Sequence, residues 1–401
     1  MDWSEEDKLV QHADYWLQRA GGLKDEDLYF YNQPLEELHG GARVAVRGRE
    51  MLMFASYSYL GLLGHPRISA AAKAAVDKYG TGTHGVRLLA GTLRLHEELE
   101  ETIANFKHAE AAITFSSGYV TNLSVVSTLV GRHDTVICDK LNHASIVDGC
   151  LLSGAKFLRF KHNDLPDLDR TLAKSDPQGV RLVVVDAVFS MDGDVINLPG
   201  VAALCKKHHA WLMVDEAHSL GMLGKTGRGI EEHFGMDNAI DIKMGTLSKT
   251  IPSVGGYVAG RKELIHMLKH ASRAFIFSAA LPPAQAAAAK AAFEVILDEP
   301  ERVAALSRNA AQFMNGLKQL GFDTMRTSTA IVPVLCGADM RAYEMTQHCQ
   351  HRDIFVLPVV SPAVPDGQAR LRATVTAGHS PQEIEQALDV FEFAGKQVGI
   401  I

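Results

Sequence analysis

An α/β architecture built on a mostly parallel sheet is expected from three features of this 401-residue chain. Between residues 110 and 260 short apolar runs recur: AAITF (111–115), DTVICD (134–139), KFLRF (156–160), RLVVVDAV (181–188), AWLMVDEA (210–217) and IDIKMGT (240–246). Runs this apolar fit strands covered on both faces, as in parallel sheets. Helix-like stretches separate them, and strand–helix alternation marks crossover connections. From residue 330 the order becomes strand, helix, strand, strand, helix (AIVPVLC, DMRAYEMTQHCQ, IFVLP, ARLRATVT, PQEIEQALDVFEFAGK), which predicts a second, smaller α+β unit.

In chain order, residues 1–40 read as a charged helical lead-in ending at Gly40-Gly41, and RVAVRGREMLMF (43–54) alternates like a short hairpin. PRISAAAKAAVDKYG carries Pro66 at its start and Gly80 just past its end, the punctuation of a helix. LRLHEELEETIANFK repeats its apolar residues at helical spacing. GGYVAG (255–260) reads as a further strand of antiparallel type, and Pro282-Pro283 opens an Ala-rich helical region reaching residue 318. No low-complexity linker intervenes. The expected division is a lead-in (1–54) packed with the small unit, a large domain (55–290) and a small α+β domain (291–401).

With 47 % hydrophobic and 22 % charged residues the composition is that of a globular chain, and 40 Lys+Arg against 47 Asp+Glu argue against a nucleic-acid footprint. The five cysteines are an odd number without a CxxC pair, which excludes a zinc ribbon and disfavours a disulfide framework. MDWSEEDKLVQHADYW is acidic and amphipathic, unlike a signal or transit peptide, and no apolar run reaches the ~20 residues of a membrane span. A cytoplasmic protein without an integral membrane segment is expected.

Some motifs mislead. GTGTHG (80–85) matches a dinucleotide fingerprint, but a helix precedes it where a strand is needed, so it reads as a Gly-rich turn. SGAK (153–156) and KTG (225–227) look like parts of a serine acyl-enzyme, yet no SDN lies between them and Lys156 opens a strand. The histidines form no HExxH, and His208-His209 sits at a helix end, where cations are favoured; no metal site is expected.

Three fragments place reactive groups just past a buried strand, where α/β sheets bind ligands. LMVDEAHSLG (212–221) ends a strand on Asp215, with His218 three residues later. KMGTLSKTIPSVGGYVAG (243–260) sets Lys249 beside Thr246 and Ser248, hydroxyls that suit a phosphate. TFSSGYVTNLSVVSTLV (114–130) directs a helix N-terminus at the mouth of the sheet, a ready anion site. A phosphate cradle, a strand-end acid and a lysine on a neighbouring turn are what pyridoxal phosphate requires.

On these and further stretches the chain resembles the α-oxoamine synthases, fold-type I pyridoxal-phosphate enzymes with a seven-stranded, mostly parallel sheet domain. The matching stretches are SYSYLGLLGHP (56–66), GTGTHGVRLLAGT (80–92), SSGYVTN (116–122), LNHASIVDG (141–149), VFSMDGD (188–194), MVDEAHSLGMLGKTGRG (213–229), GTLSK (245–249) and RLRATVTAGH (370–379). The resemblance implies that Lys249 carries the cofactor and acts as base at Cα, that Asp215 pairs with the pyridine nitrogen, that His218 bonds the ring hydroxyl and that His143 stacks on the ring. It implies Gly118, Tyr119, Thr246 and Ser248 as cofactor contacts, Ser190 near the cofactor, and Ser278 offered to the phosphate across a dimer interface. Arg372 matches the arginine that fixes the amino acid carboxylate, with Tyr57 and His143 on the substrate side.

The implied reaction is a decarboxylative condensation of a small L-amino acid (serine, alanine or glycine) with an acyl thioester of coenzyme A or a carrier protein, in a homodimer. SYSYLG is closest to the SYNYLG of serine palmitoyltransferase-like members, with Ser58 in place of the asparagine; SPAVP (361–365) also departs from the usual pattern. An aminotransferase, a lyase or a non-catalytic partner subunit are the alternatives.

Overall fold

The computed structural model describes residues 7–401; residues 1–6 of the acidic lead-in lie outside them. Helix α1 (Lys8–Asp25) is followed by strands β1 (Glu37–His39), β2 (Arg43–Val46) and β3 (Arg49–Met53). The β2–β3 hairpin closes on Arg47 and Gly48, both at positive φ (52° and 71°), the geometry a two-residue hairpin needs to match strand twist.

Then come α2 (Pro66–Tyr79), α3 (Arg94–Phe106), β4 (Ala111–Phe115), α4 (Gly118–Leu129), β5 (Thr135–Asp139), α5 (Ala144–Ser153), β6 (Lys156–Phe160) and α6 (Leu165–Ala173). Next are β7 (Arg181–Asp186), α7 (Leu198–Lys207), β8 (Trp211–Asp215), α8 (Ile230–Phe234), β9 (Ile242–Thr246) and β10 (Gly256–Gly260). These strands form one seven-stranded sheet in the order β4-β10-β9-β8-β7-β5-β6. All neighbours are parallel except β10, which runs antiparallel to both β4 and β9. The apolar runs therefore lie where they were expected, and β5, β8 and β9 are buried along almost their full length because helices cover both faces.

Helices α9 (Lys262–Ala271) and α10 (Arg273–Phe277) pack with α4 and α5 on one face of this sheet, around Phe115, Val125, Ile146, Met213 and Phe275. The other face is covered by α2, α3, α7 and the Ala-rich α11 (Pro283–Asp298). The Ala-rich region is not one helix: it breaks at Glu299-Pro300, and α12 (Glu301–Gln319) follows. Val303 and Leu306 of α12 join the large core, whereas Phe313 and Leu317 join a separate one, so this helix bridges two bodies.

The C-terminal stretch supplies β11 (Ile331–Gly337), α13 (Asp339–Gln350), β12 (Ile354–Phe355), β13 (Pro358–Val359), β14 (Ala369–Thr374) and α14 (Pro381–Gln397). IFVLP, read as one strand, divides in two: β12 pairs with β3 of the N-terminal hairpin, and β13 pairs with β14. Pro358 has no N–H to continue a ladder, so the chain changes sheets there, and Pro358 lies on an edge strand. The small core centres on Phe54, Phe313 and Phe391, with ring centroids 5.1 and 5.4 Å apart across Phe313, and it also holds Leu28 and Phe30 of the lead-in. Each such ring contributes about 1.5–3 kcal/mol of burial. Among the described residues no helix is long and apolar enough to cross a membrane, and all five cysteines are buried and free.

Candidate active site

The site forms at the carboxyl ends of β4, β9 and β8. After β4 the chain turns through Ser116-Ser117, and the Ser117 hydroxyl caps α4 by accepting the Val120 N–H at 3.1 Å. Gly118 opens the helix against Thr246: a Cβ there would lie 2.9 Å from the Thr246 hydroxyl and 3.1 Å from its Cβ, so any larger side chain would have to displace Thr246. Thr246 Oγ1 lies 2.9 Å from Ser248 Oγ, and Ser248 is exposed. Helix N–H groups and two hydroxyls thus converge on an open spot suited to an oxyanion.

Asp215 ends β8 almost fully buried, yet among the described residues no cationic side chain pairs with it. Its carboxylate accepts Asn122 Nδ2 at 2.7 Å and the Ala217 N–H at 2.8 Å. Asn122 stands one helical turn beyond Gly118 and also donates to Ser145 Oγ at 2.9 Å, so α4 and α5 hold the acid jointly. The Asn122 Oδ1 atom is buried and unpartnered.

Lys249 Nζ lies 2.8 Å from His218 Nε2, and His218 Nδ1 lies 2.5 Å from the Tyr59 hydroxyl. Burial, with the charges of Lys249 and Arg372, holds His218 well below its usual pKa, so it is a neutral partner. Burial likewise draws Lys249 down from 10.5 to about 8; Asp215 and Asp186 oppose this and Arg372 reinforces it. Asp186, in register with Asp215 on the next strand, is held well above the usual carboxylate range by burial and by the Asp215 charge. It accepts the His143 N–H at 2.8 Å. The His143 residue is exposed overall, but desolvation of its ring lowers the pKa, Asp215 pulling it up and Lys249 pushing it down. Its Nδ1 caps α5 and lies 2.7 Å from Ser145 Oγ.

Arg372, on β14 of the small body, reaches the same space. Its Nε donates to the Ser190 carbonyl at 2.6 Å and its Nη1 to Thr374 Oγ1 at 3.0 Å, while Nη2 is buried without a partner. The Tyr57 ring lies 4.8 Å from the guanidinium, 5.8 Å from Lys249 Nζ and 5.9 Å from the His218 ring, joining all three.

Of the residues picked out in the sequence, Lys249, His218, Tyr57 and Arg372 therefore meet directly, and Asp215, His143, Gly118, Thr246 and Ser248 line adjacent ground. Tyr119 is 44 % exposed, with its hydroxyl donating to Asp148 and its ring 6.3 Å from that of His143. Ser190 enters through its carbonyl. Ser278 does not reach Lys249: it ends α10, half-buried in a small crevice it shares with Phe115 and Ser116. Asn122, Tyr59 and Asp186 went unnoticed in the sequence. Asn122 lies within SSGYVTN four residues after Gly118 and Tyr59 within SYSYLG, where nothing marks them until the fold is known, whereas Asp186 is a strand-end acid like Asp215.

The donor set fits pyridoxal phosphate. A helix N-terminus crowded against any Cβ faces two hydroxyls, a buried carboxylate is held by an amide and a backbone N–H without a cationic side chain among the described residues, and a lysine of lowered pKa follows the same turn as the hydroxyls. Among the described residues no group of three or more His, Cys, Asp or Glu could hold a metal ion.

Comparison with known proteins agrees. Residues 49–391 match the family model described as aminotransferase class I and II. The chain is 43 % identical over 392 residues to 8-amino-7-oxononanoate synthase of Symbiobacterium thermophilum, covering 97 % of this chain and 99 % of that one. It is 40 % identical over 381 residues to serine palmitoyltransferase of Bacteriovorax stolpii, covering 95 % and 90 %. Among solved structures, a serine palmitoyltransferase variant from S. paucimobilis with a bound PLP–myriocin aldimine superposes with a TM-score of 0.95 at 35 % identity, covering 98 % of this chain and 100 % of that one. The chain belongs to the aminotransferase class I and II family, and within it to the α-oxoamine synthases, pyridoxal-phosphate-dependent acyltransferases.

Proposed function

We propose that this protein condenses a small L-amino acid (serine, alanine or glycine) with an acyl thioester of coenzyme A or a carrier protein, releasing CO2, free thiol and an α-amino ketone. The observation that carries the reading is the Lys249–His218–Tyr57–Arg372 cluster, in which an amine of lowered pKa faces an arginine with one unpaired, buried N–H group. The relatives' names divide between 8-amino-7-oxononanoate synthase and serine palmitoyltransferase, so the amino acid and the acyl chain are left open between them.

In this reading Gly118, Tyr119, Thr246 and Ser248 would contact the cofactor or its phosphate, with a partner subunit's copy of Ser278 offered to the phosphate. Asp215, fixed by Asn122, would hold a proton at the pyridine nitrogen. Bound pyridoxal phosphate supplies an electron sink for a carbanion at the amino acid Cα. Arg372 Nη2 takes the substrate carboxylate, and its Nε bond to Ser190 sets the orientation of the Cα–H bond. Lys249, whose pKa is drawn down to about 8 so that its free-base form is within reach of cellular pH, would remove that proton. His143 or His218 would stabilise the oxyanion that develops from the thioester. We further read the chain as a cytoplasmic homodimer with a large cofactor domain (55–290) and a small domain (291–401) against which the lead-in (1–54) packs.

The test is product identification by mass spectrometry after incubating holoprotein with a panel of amino acids and acyl thioesters. Thiol release with an α-amino ketone supports condensation. A keto acid formed without thiol release identifies an aminotransferase instead.

A further inference from the structure

A histidine outside the reacting cluster stands between two carboxylates. His162 Nδ1 lies 3.0 Å from Asp139 Oδ1, and Nε2 lies 2.8 Å from Asp194 Oδ2. Ionised carboxylates only accept hydrogen bonds, so both ring nitrogens donate and the ring is an imidazolium. Burial opposes that charge, but the bonds to Asp139 and Asp194 outweigh it and lift the pKa to about 10. The Phe189 ring packs edge-on at 4.4 Å, closing the clamp.

What the clamp joins gives it meaning. Asp139, fully buried at the end of β5, also accepts the Leu141 N–H at 2.8 Å and so sets the loop that carries His143. Asp194 closes a tight turn, 189–194, pinned by the Phe189 N–H to the Asp194 carbonyl at 3.1 Å and the Gly193 N–H to the Phe189 carbonyl at 2.8 Å. That turn is where the small body docks. Arg372 Nε binds the Ser190 carbonyl, Arg370 Nη1 binds Asp192 Oδ1 at 2.8 Å, and Thr329 Oγ1 donates to the Gly193 carbonyl at 2.9 Å.

We propose that His162 is a positioning residue: bridging Asp139 and Asp194, it fixes the 189–194 turn on the large sheet and thereby places Arg372 for the substrate carboxylate. The inference rests on the reading of Arg372 given above. His162 touches neither Lys249 nor Arg372; it acts through the Ser190 carbonyl.

The experiment is a double-mutant cycle on the holoprotein, reading the amino acid KM, the thioester KM and the cofactor absorbance for His162→Gln, Arg372→Lys and their combination. His162→Gln is expected to raise the amino acid KM about tenfold, with the thioester KM and the absorbance unchanged. In the Arg372→Lys background the same change is expected to have little further effect, because the pathway is already cut. Asp194→Asn, which removes one carboxylate without altering side-chain size, is expected to reproduce His162→Gln and replaces it where that variant folds poorly. Equal effects of His162→Gln in both backgrounds, or a loss of thermal stability with the amino acid KM unmoved, overturn the inference while leaving Arg372 as the clamp. An amino acid KM insensitive to Arg372→Lys overturns the reading of Arg372 and this inference with it.

Discussion

Lys249 gains its chemistry from its surroundings. Desolvation, strengthened by the Arg372 charge, disfavours the ammonium form, and a neutral His218 receives the amine at 2.8 Å. Capture of an aldehyde needs the unprotonated amine. In cofactor-free protein the rate of cofactor uptake is therefore expected to rise with pH around a midpoint near 8, followed by absorbance; a midpoint near 10.5 would mean that the site does not depress this pKa. Gly118 is decided by space alone. Gly118→Ala sets a methyl 2.9 Å from Thr246 Oγ1 and is expected to weaken cofactor affinity at least tenfold in equilibrium titration, an overpacking of about 1–3 kcal/mol. At this scale the sequence was legible where motifs carry chemistry: Lys249, Asp215 and Arg372 each stand in a distinctive stretch. Asn122 and Tyr59 were not, because an amide in a helix and a tyrosine in an apolar run declare nothing until folding brings Asp215 and His218 beside them.

Elements were read from the sequence in proportion to how strongly burial imposed a period. The parallel strands were plain because helices cover both faces and leave continuous apolar runs. The split of IFVLP between two sheets was not, because it depends on where β3 and β14 lie in space. Two element-level features carry measurable stability. Lys107 and Glu216 form a buried ion pair at 2.6 Å, and Glu216 Oε1 accepts the Ile230 N–H at 3.0 Å, tying the 216–230 loop to α3. Lys107→Met leaves that carboxylate buried without its cation and is expected to cost about 3–5 kcal/mol in denaturant unfolding; adding Glu216→Gln should restore part of it.

His379, in the small core, caps the turn after β14 by accepting the Thr376 N–H at 3.0 Å, with its ring centroid 4.6 Å from that of Phe54. Burial draws its pKa from 6.5 to about 4. Between those values the unfolded chain binds more protons than the folded one, so stability rises with pH. Full stability is present above pH 6.5 and is lost as pH falls toward 4, by about 3 kcal/mol at most. His379→Asn, which keeps an acceptor and does not titrate, is expected to flatten that acid limb in urea unfolding at a series of pH values. An unchanged slope would place the proton uptake elsewhere.

For the whole molecule, two bodies meet over one site: the large sheet provides Lys249, Asp215 and His143, and the small body provides Arg372. Leu89 is 82 % and Phe277 74 % exposed, with Tyr119 of the site also open, and in the proposed homodimer a second copy would cover such residues. Sedimentation is expected to show a dimer of the 43.6 kDa chain, and Phe277→Asp is expected to yield monomers that have lost cofactor and activity together. An active wild-type monomer would contradict this. Such surfaces were beyond the sequence, since exposed Leu and Phe look like core residues until the fold leaves them outside.

The central claim is that Lys249 holds the cofactor, and borohydride reduction of the holoprotein followed by peptide mapping tests it most directly. A phosphopyridoxyl group fixed on the peptide containing Lys249, and absent from Lys249→Ala, is the result expected. A label on another lysine, or none in fully loaded protein, would contradict the account.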